Sequence, residues 1–533
     1  MIRMRPTLLS VVLPLGLFSV FPSVALSRDV STIDSVASSD LGGKGHIGRL
    51  APIAGDVLSN LDLDEAVRLA EERNPAIQQR FHALTAARNQ LGSAYATWWP
   101  TITADLEFGW YGEKAYYNYT GALAGLTTAE SSTSGASSRA QKKCSSSTSY
   151  LYCKSFSSNY GQGVSTLDLD WTIYDPARQP LVDKNQSLVD EANSDYVIAR
   201  RDYALKTRES FVELQRYLAG VQTSSQLVDN DRLLLRLSQA RKRLGVASDL
   251  DVAKQITVLK TDEVNQVDAR QNARVAQAKL AQLLNDPLAS SIAPASALAP
   301  LGGWQASLEA TIQSALSYRK VIEKQLSIVR QNEQQARIEM ATYSPTISLV
   351  NSLYWTKGVG YTGLGPPWII DSARSDLWDA QSVLTITFTG FDGGKARMSA
   401  ESSKAKALAA KSAAEDSINS VVSEVREYFS RVQEGRMAVV VASERVDAAS
   451  SALRLQSMRF TAGYGTITDV VQSQQDLTQG VDAYIQQLGD YNLALVNLSR
   501  ASGMDYVADP DLTQKVGDPL SQVRIQEYLG LAN

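Results

Sequence analysis

The chain has very few histidines and cysteines, two residue types on which many catalytic and metal-binding sites depend. The sequence holds two histidines, His46 and His82, and two cysteines, Cys144 and Cys153. A Cys/His zinc cluster needs about four ligands, and a serine triad needs one of the two histidines. This composition disfavours most enzyme classes, and we predict a protein that is not an enzyme and has no cofactor or metal.

Two aspartates occupy equivalent positions after two glycine-containing turns. In each turn a serine or threonine precedes the aspartate by three residues, which is the spacing of a capping box. Acidic side chains are favoured at helix starts, and the glycine of each turn is expected to end the preceding helix. The two sets are Gly245, Ser248, Asp251 and Gly463, Thr466, Asp469.

Composition limits the class of protein further. The 533 residues are 44% hydrophobic and 20% charged, with a formal net charge of −4. This balance gives no bulk electrostatic attraction to nucleic acid, and the apolar content argues against a disordered chain. The length fits about three ordinary domains or one elongated body with repeats.

The N-terminus predicts export from the cytoplasm. Arg3 and Arg5 precede the short apolar run 8–21, and small residues follow at 23–25, as in a secretory signal peptide. We assign 1–25 to this peptide and 26–60 to an N-terminal extension. After residue 25 no stretch of 18 apolar residues remains, so the sequence predicts no transmembrane helix. The other structure that satisfies its backbone within lipid is a closed β-barrel.

An internal duplication organises the mature chain. Residues 63–67 match 308–312 at an offset of 245, and the turn 245–252 matches 463–470 at an offset of 218. Segments that match in the same order at nearly the same offset indicate tandem repeats. We place the first repeat at 61–286, a linker at 287–304, the second repeat at 305–503 and a C-terminal tail at 504–533.

Each repeat contains two segments that alternate polar and apolar residues. They lie at 101–110 and 164–174 in the first repeat and at 346–355 and 382–391 in the second. Such segments with aromatic ends are typical of transmembrane β-strands, although a soluble sheet with one buried face gives the same pattern. Export and the small number of strands favour the barrel. Four strands cannot close one, because about eight are needed, so the chain is expected to assemble with its own copies.

Long helices complete each repeat. The first repeat starts with a helix predicted over 63–99, which ends at Pro100 because proline cannot continue it. The later helix over 175–244 has apolar residues recurring every seven, which indicates coiled-coil packing, and its 70 residues would extend ~105 Å. The second repeat copies this helix over 394–462. Such a rod on a membrane barrel suits a conduit across a compartment.

In these duplicated features the sequence resembles the outer-membrane efflux (TolC-type) channel family. The resemblance covers 61–503 and is carried by the paired Leu-x-Glu-Ala-like starts, helix–proline–strand junctions and Gly-x-x-[Ser/Thr]-x-x-Asp-Val turns. It implies an α+β membrane protein of the Gram-negative outer membrane: a homotrimer with a twelve-stranded β-barrel, surrounded by lipid, above a coiled-coil periplasmic tunnel. It also implies a periplasmic membrane-fusion adaptor, an inner-membrane transporter of the ABC or RND type, and either type I secretion or multidrug efflux.

The resemblance gives Asp251 and Asp469 a second interpretation. Both would lie at the narrow end of the tunnel, where a trimer turns each into a ring of three carboxylates that attracts cations. Capping alone remains the alternative. Gln472, Phe460 and Gly465 depart from the residues that family members use for a hydrogen-bonded gate.

A basic patch lies near the same turn and has two interpretations. It is either a solvated helix end, where cations are favoured, or a docking surface for the adaptor. The patch consists of Arg236, Arg241, Lys242 and Arg243.

Cys144 and Cys153 lie between the first two predicted strands, in a segment expected to face the outside of the cell. Exported chains with even cysteine numbers usually form disulfides. We therefore predict a Cys144–Cys153 bridge.

Two other classes of protein stay open. A periplasmic coiled-coil adaptor or structural protein without a barrel would explain the helices but not the duplicated amphipathic strands. An exported enzyme would need a catalytic constellation, and the paired carboxylates Asp168 and Asp170 lie instead on the polar face of a strand.

Overall fold

The computed structural model describes residues 58–120, 151–286, 292–363 and 370–517. The predicted signal peptide lies outside the described residues. The first half contains β1 (Leu58–Leu61), α1 (Leu63–Arg73), α2 (Pro75–Ala96), β2 (Thr101–Thr120), β3 (Leu151–Tyr174), α3 (Arg178–Arg243) and α4 (Asp249–Leu283). The second half contains β4 (Ile292–Pro294), α5 (Leu308–Tyr318), α6 (Lys320–Ala341), β5 (Thr346–Gly363), β6 (Ile370–Thr387), α7 (Lys395–Thr461), α8 (Ile467–Ser502) and α9 (Pro510–Val516).

The helix predicted over 63–99 is two helices, α1 and α2. They are separated at Asn74, whose side-chain oxygen accepts a hydrogen bond from the backbone N–H of Ala76 at 2.9 Å. Pro75 follows at the first position of α2, where its missing N–H costs nothing. The second half repeats this break at Arg319, between α5 and α6. The single helix predicted over 63–99 is therefore wrong, because the Asn74 cap and Pro75 start a new helix within it.

The four long strands form one antiparallel sheet in the order β2-β3-β5-β6. They contain 20, 24, 18 and 18 residues, more than the predictions gave. The predictions used only stretches of alternating residues, whereas backbone pairing continues beyond them. β6 ends at Thr387, before the predicted 391, because Asp392 accepts the backbone N–H groups of Gly394 and Ala396 at 2.8 Å and starts α7.

The described part of the sheet leaves large apolar side chains exposed. Phe108 is 82% exposed, Trp110 76% and Trp378 72%. The rings of Phe108 and Trp110 in β2 lie across glycines of β3: a Cβ added at Gly161 or Gly163 would stand 3.2 Å from the ring of Trp110 or Phe108. The sheet therefore carries an ordered apolar surface that no described part of the chain covers.

Helices α7 and α8 form a coiled coil with a seven-residue repeat. At 67 residues, α7 is ~100 Å long. One buried side chain recurs at every seventh position along each helix, the pattern of interlocking coiled-coil side chains. The buried rows are Val425, Val432, Val439, Val446, Leu453 and Phe460 on α7, and Val470, Leu477, Tyr484, Tyr491 and Leu498 on α8.

The first half pairs its helices in the same way. α3 packs against α4 and α2, α6 packs against both α3 and α7, and α8 also contacts α3. The two repeats thus share one helical body, which the parallel pairing of β1 with β4 also joins. No helix in the described ranges combines the length and apolarity required to cross a membrane.

Candidate functional site

Each helical hairpin turns through a Schellman motif. In the α3–α4 turn Gly245 has φ +74°, its N–H donates to the carbonyl of Lys242, and the N–H of Val246 donates to the carbonyl of Arg241, both at 2.9 Å. Gly463 occupies the same place in the α7–α8 turn with φ +84°. This left-handed conformation favours glycine because it has no Cβ.

Asp251 and Asp469 close the two capping boxes that the sequence predicts. The Asp251 carboxylate accepts the backbone N–H of Ser248 at 2.9 Å, and the Asp469 carboxylate accepts that of Thr466 at 3.1 Å. These backbone hydrogen bonds, with help from the Ser248 and Thr466 side chains, lower the pKa of both aspartates. Both groups are therefore negatively charged at neutral pH.

The two turns lie at the same end of the helical body, and Arg241 joins them. Its guanidinium donates to the carbonyl of Phe460 at 2.9 Å and stacks 4.0 Å above the Phe460 ring. Lys242 pairs instead with Asp249 across its own turn. Two residues of the basic patch, Arg241 and Lys242, thus make contacts within the chain. Arg241 links the end of α3 to the end of α7.

The surface of these turns, which we call the tip, exposes apolar residues between the charges. Tyr464 is 84% exposed, Leu244 78%, Val246 68% and Leu250 62%. Clustered exposed apolar side chains mark protein contact sites. The tip therefore combines fixed negative charge with an uncovered apolar surface.

At the opposite end of α3 and α7, the sheet leaves two strand edges without partners in the described residues. β2 pairs only with β3, and β6 pairs only with β5. Rows of unpaired N–H and C=O groups on edges of this length readily join another strand.

Comparison with known proteins agrees with this architecture. The model of the family described as "Outer membrane efflux protein" matches residues 66–286 and 311–504. The chain belongs to the outer membrane efflux protein family. Like its family, the protein is an efflux channel of the outer membrane that extends into the periplasm. The predicted resemblance and the predicted location are confirmed.

Solved structures of outer-membrane proteins, two of them described as channels, share the fold. The channel OprN is 17% identical, covers 83% of this chain and 89% of its own, and has a TM-score of 0.62. The Campylobacter jejuni channel CmeC is 14% identical, with 86% and 89% covered and a TM-score of 0.64. VceC of Vibrio cholerae is 17% identical, with 84% and 97% covered and a TM-score of 0.60. No curated protein sequence matches significantly.

The sequence did not lead us to predict one buried carboxyl group, that of Asp231. Asp231 of α3 is fully buried, and one carboxylate oxygen accepts the amide of Gln474 from α8 at 2.7 Å and of Gln255 from α4 at 3.3 Å. Burial, together with neighbouring Asp262, raises its pKa to about 8. Asp231 falls in the seven-residue row that contains Val182, Val189 and Tyr217, and a charged residue in that row was the available signal.

The predicted disulfide is not part of the described site. Cys144 lies outside the described residues, and the side chain of Cys153 is not described although its backbone belongs to β3. The bridge stays a prediction. In the described ranges no group of three or more His, Cys, Asp or Glu side chains is arranged to hold a metal ion.

Proposed function

We propose that three copies of this chain assemble into a twelve-stranded transmembrane barrel continued by a helical tunnel, through which cargo leaves the periplasm. The observation that carries the proposal is the sheet, whose two edge strands have no partner among the described residues and whose described part exposes an apolar surface. Neither feature is stable in water, and assembly within lipid satisfies both.

Strand direction and number favour three copies. Three antiparallel pairings make β6 run opposite to β2, so β6 of one copy can pair antiparallel with β2 of the next. Two copies would give eight strands, whose interior is filled by side chains. Three copies give twelve strands and leave room for a lumen.

The apolar surface supplies the lipid contact. Aromatic rings such as Phe108, Trp110 and Trp378 are the side chains that outer-membrane strands turn towards lipid and its interfaces. Polar residues of the same strands, among them Asp105 and Glu107, alternate with them and are suited to a water-filled interior.

The tip supports docking of the periplasmic adaptor. Leu244, Val246, Leu250 and Tyr464 would repeat three times around the tunnel end and bury apolar area against a partner. Asp251 and Asp469 would form two rings of three carboxylates at the entrance, where they attract cations. The adaptor would connect this end to an inner-membrane transporter of the ABC or RND type.

Planar-bilayer recording tests the channel itself. Purified protein in detergent is expected to insert and give discrete conductance steps of uniform size. A protein that stays monomeric in plain buffer and gives no steps would overturn the proposal and favour the periplasmic adaptor without a barrel.

Cargo class is tested in a strain that lacks the gene. Loss of one exported protein from the medium, with unchanged drug susceptibility, indicates type I secretion. Raised susceptibility to several small toxic molecules, with unchanged secretion, indicates multidrug efflux. A strain unchanged in both would contradict transport by this protein.

A further inference from the structure

A cavity of about 490 Å³ lies beside α3, away from the tip and the sheet. Its walls come from α1, α3, the end of α5 and the end of α8. Four arginines line it: Arg200, Arg201 and Arg208 of α3, and Arg500 of α8. Four arginines converging on one cavity concentrate positive charge, which is stabilised by anions.

Two of these arginines are already paired with carboxylates. Arg200 bonds Glu71 at 2.9 Å. Arg500 binds Asp202 and also lies 3.4 Å from Glu424, which pairs with Arg319 at 2.8 Å. These ion pairs hold the cavity walls in place and neutralise the charges of Arg200 and Arg500.

The other two arginines, Arg201 and Arg208, have no carboxylate within 4.0 Å among the described residues. Arg201 donates to the backbone carbonyl of Tyr318 at 2.8 Å and stacks 3.5 Å over its ring. The Nε of Arg208 is buried and has no hydrogen-bond partner in the described structure. The positive charges of Arg201 and Arg208 are therefore not neutralised by any carboxylate of the described residues.

The surroundings of Arg201 destabilise its positive charge. Desolvation, followed by the neighbouring Arg500, Arg200 and Arg319, outweighs Tyr318 and lowers the pKa of Arg201. Of the two carboxylates that line the cavity, Glu71 is committed to Arg200, and Asp505 is solvent-exposed. An anion held between Arg201 and Arg208 would remove the repulsion.

We infer that this cavity is a binding site for a small molecule carrying two or more carboxylate or phosphate groups, held by Arg201 and Arg208. The two residues are seven positions apart on α3, which places their backbones two helical turns or ~10 Å apart, a spacing that suits a ligand with two anionic groups. Arginine forks bind carboxylate and phosphate oxygens in pairs. Ala204 and Leu205 supply an apolar wall for the carbon skeleton of the ligand.

Isothermal titration of the assembled protein in detergent and low salt tests the site, with citrate as the multivalent probe. We expect saturable binding of one citrate per chain and at least tenfold weaker binding in Arg208→Gln, because each charge-assisted hydrogen bond is worth about 1.5 kcal/mol or more. Arg208→Lys keeps the charge without the fork and should weaken binding less. No saturable heat with the parent protein, or full affinity in Arg208→Gln, would overturn the inference.

A matched control and two further probes complete the test. Arg431→Gln removes the same charge from an arginine of α7 that is 63% exposed and should leave citrate binding unchanged. Inorganic phosphate should compete only at higher concentration, and acetate should bind far more weakly than citrate. Acetate binding as tightly as citrate would overturn the two-arginine site. Circular dichroism and trimer content of each variant separate lost binding from lost folding.

Discussion

Replacing Asp231 by asparagine should change how stability depends on pH. The parent carboxyl is buried between α3, α4 and α8, and its pKa is raised from 3.8 to about 8. The folded state therefore binds a proton that the unfolded state has released, so stability falls as pH rises from about 4 to about 8. For one group this slope is about 1.4 kcal/mol per pH unit.

Asparagine keeps the local contacts and removes the titration. Its carbonyl oxygen can still accept the amides of Gln255 and Gln474, and it is uncharged at every pH. The nearby carboxyls Asp262 and Asp482 remain, and burial, with a smaller contribution from Asp262, also raises the pKa of Asp482. Relative to the parent, Asp231→Asn should thus gain about 2 kcal/mol per chain between pH 6 and pH 8, because the slope falls as the pH approaches the raised pKa.

Thermal unfolding in detergent at pH 5, 6, 7 and 8, at one scan rate, measures this effect. The melting temperature of Asp231→Asn should exceed that of the parent by a margin that grows with pH. Asp229→Asn is the matched control, because Asp229 lies on the same helix with its side chain 58% exposed, and its margin should not grow. A margin for Asp231→Asn that is independent of pH would refute the reasoning.

Three further predictions concern the tip and the cysteines. Asp251→Asn together with Asp469→Asn keeps an oxygen for each capping box, so stability should hold while cation selectivity falls in bilayer recordings; unchanged selectivity would leave only the capping role. Arg241→Gln breaks the link between the ends of α3 and α7 and should speed hydrogen exchange at the tip by roughly tenfold, from about 1.5 kcal/mol of lost hydrogen bonding; unchanged exchange would contradict this. Unreduced protein from intact cells should yield a bridged Cys144–Cys153 peptide by mass spectrometry, and two alkylatable thiols would refute it.

Local chemistry was predictable from the sequence. The glycine turns and capping boxes rest on contacts within a few residues of each other, so Gly245, Ser248 and Asp251 suffice to define one of them. Long helices were predictable for a similar reason, because heptads repeat the same packing many times. The predicted 394–462 and the observed Lys395–Thr461 differ by one residue at each end.

Contacts between distant segments were not predictable. The link from Arg241 to Phe460 crosses 219 residues, and the Asp231–Gln474 hydrogen bond crosses 243. Both depend on which face of α3 meets the second repeat, and a single sequence does not contain that register. Strand length was missed for another reason: backbone hydrogen bonds extend β2 to Thr120 without alternating side chains.

The most direct test of the trimeric channel is native mass spectrometry of the mature protein released from detergent. The proposed twelve-stranded barrel, with four described strands from each chain, predicts a complex with the mass of three copies, which separates into single chains when the protein is denatured. A single chain that stays soluble and monomeric in plain buffer would contradict the account.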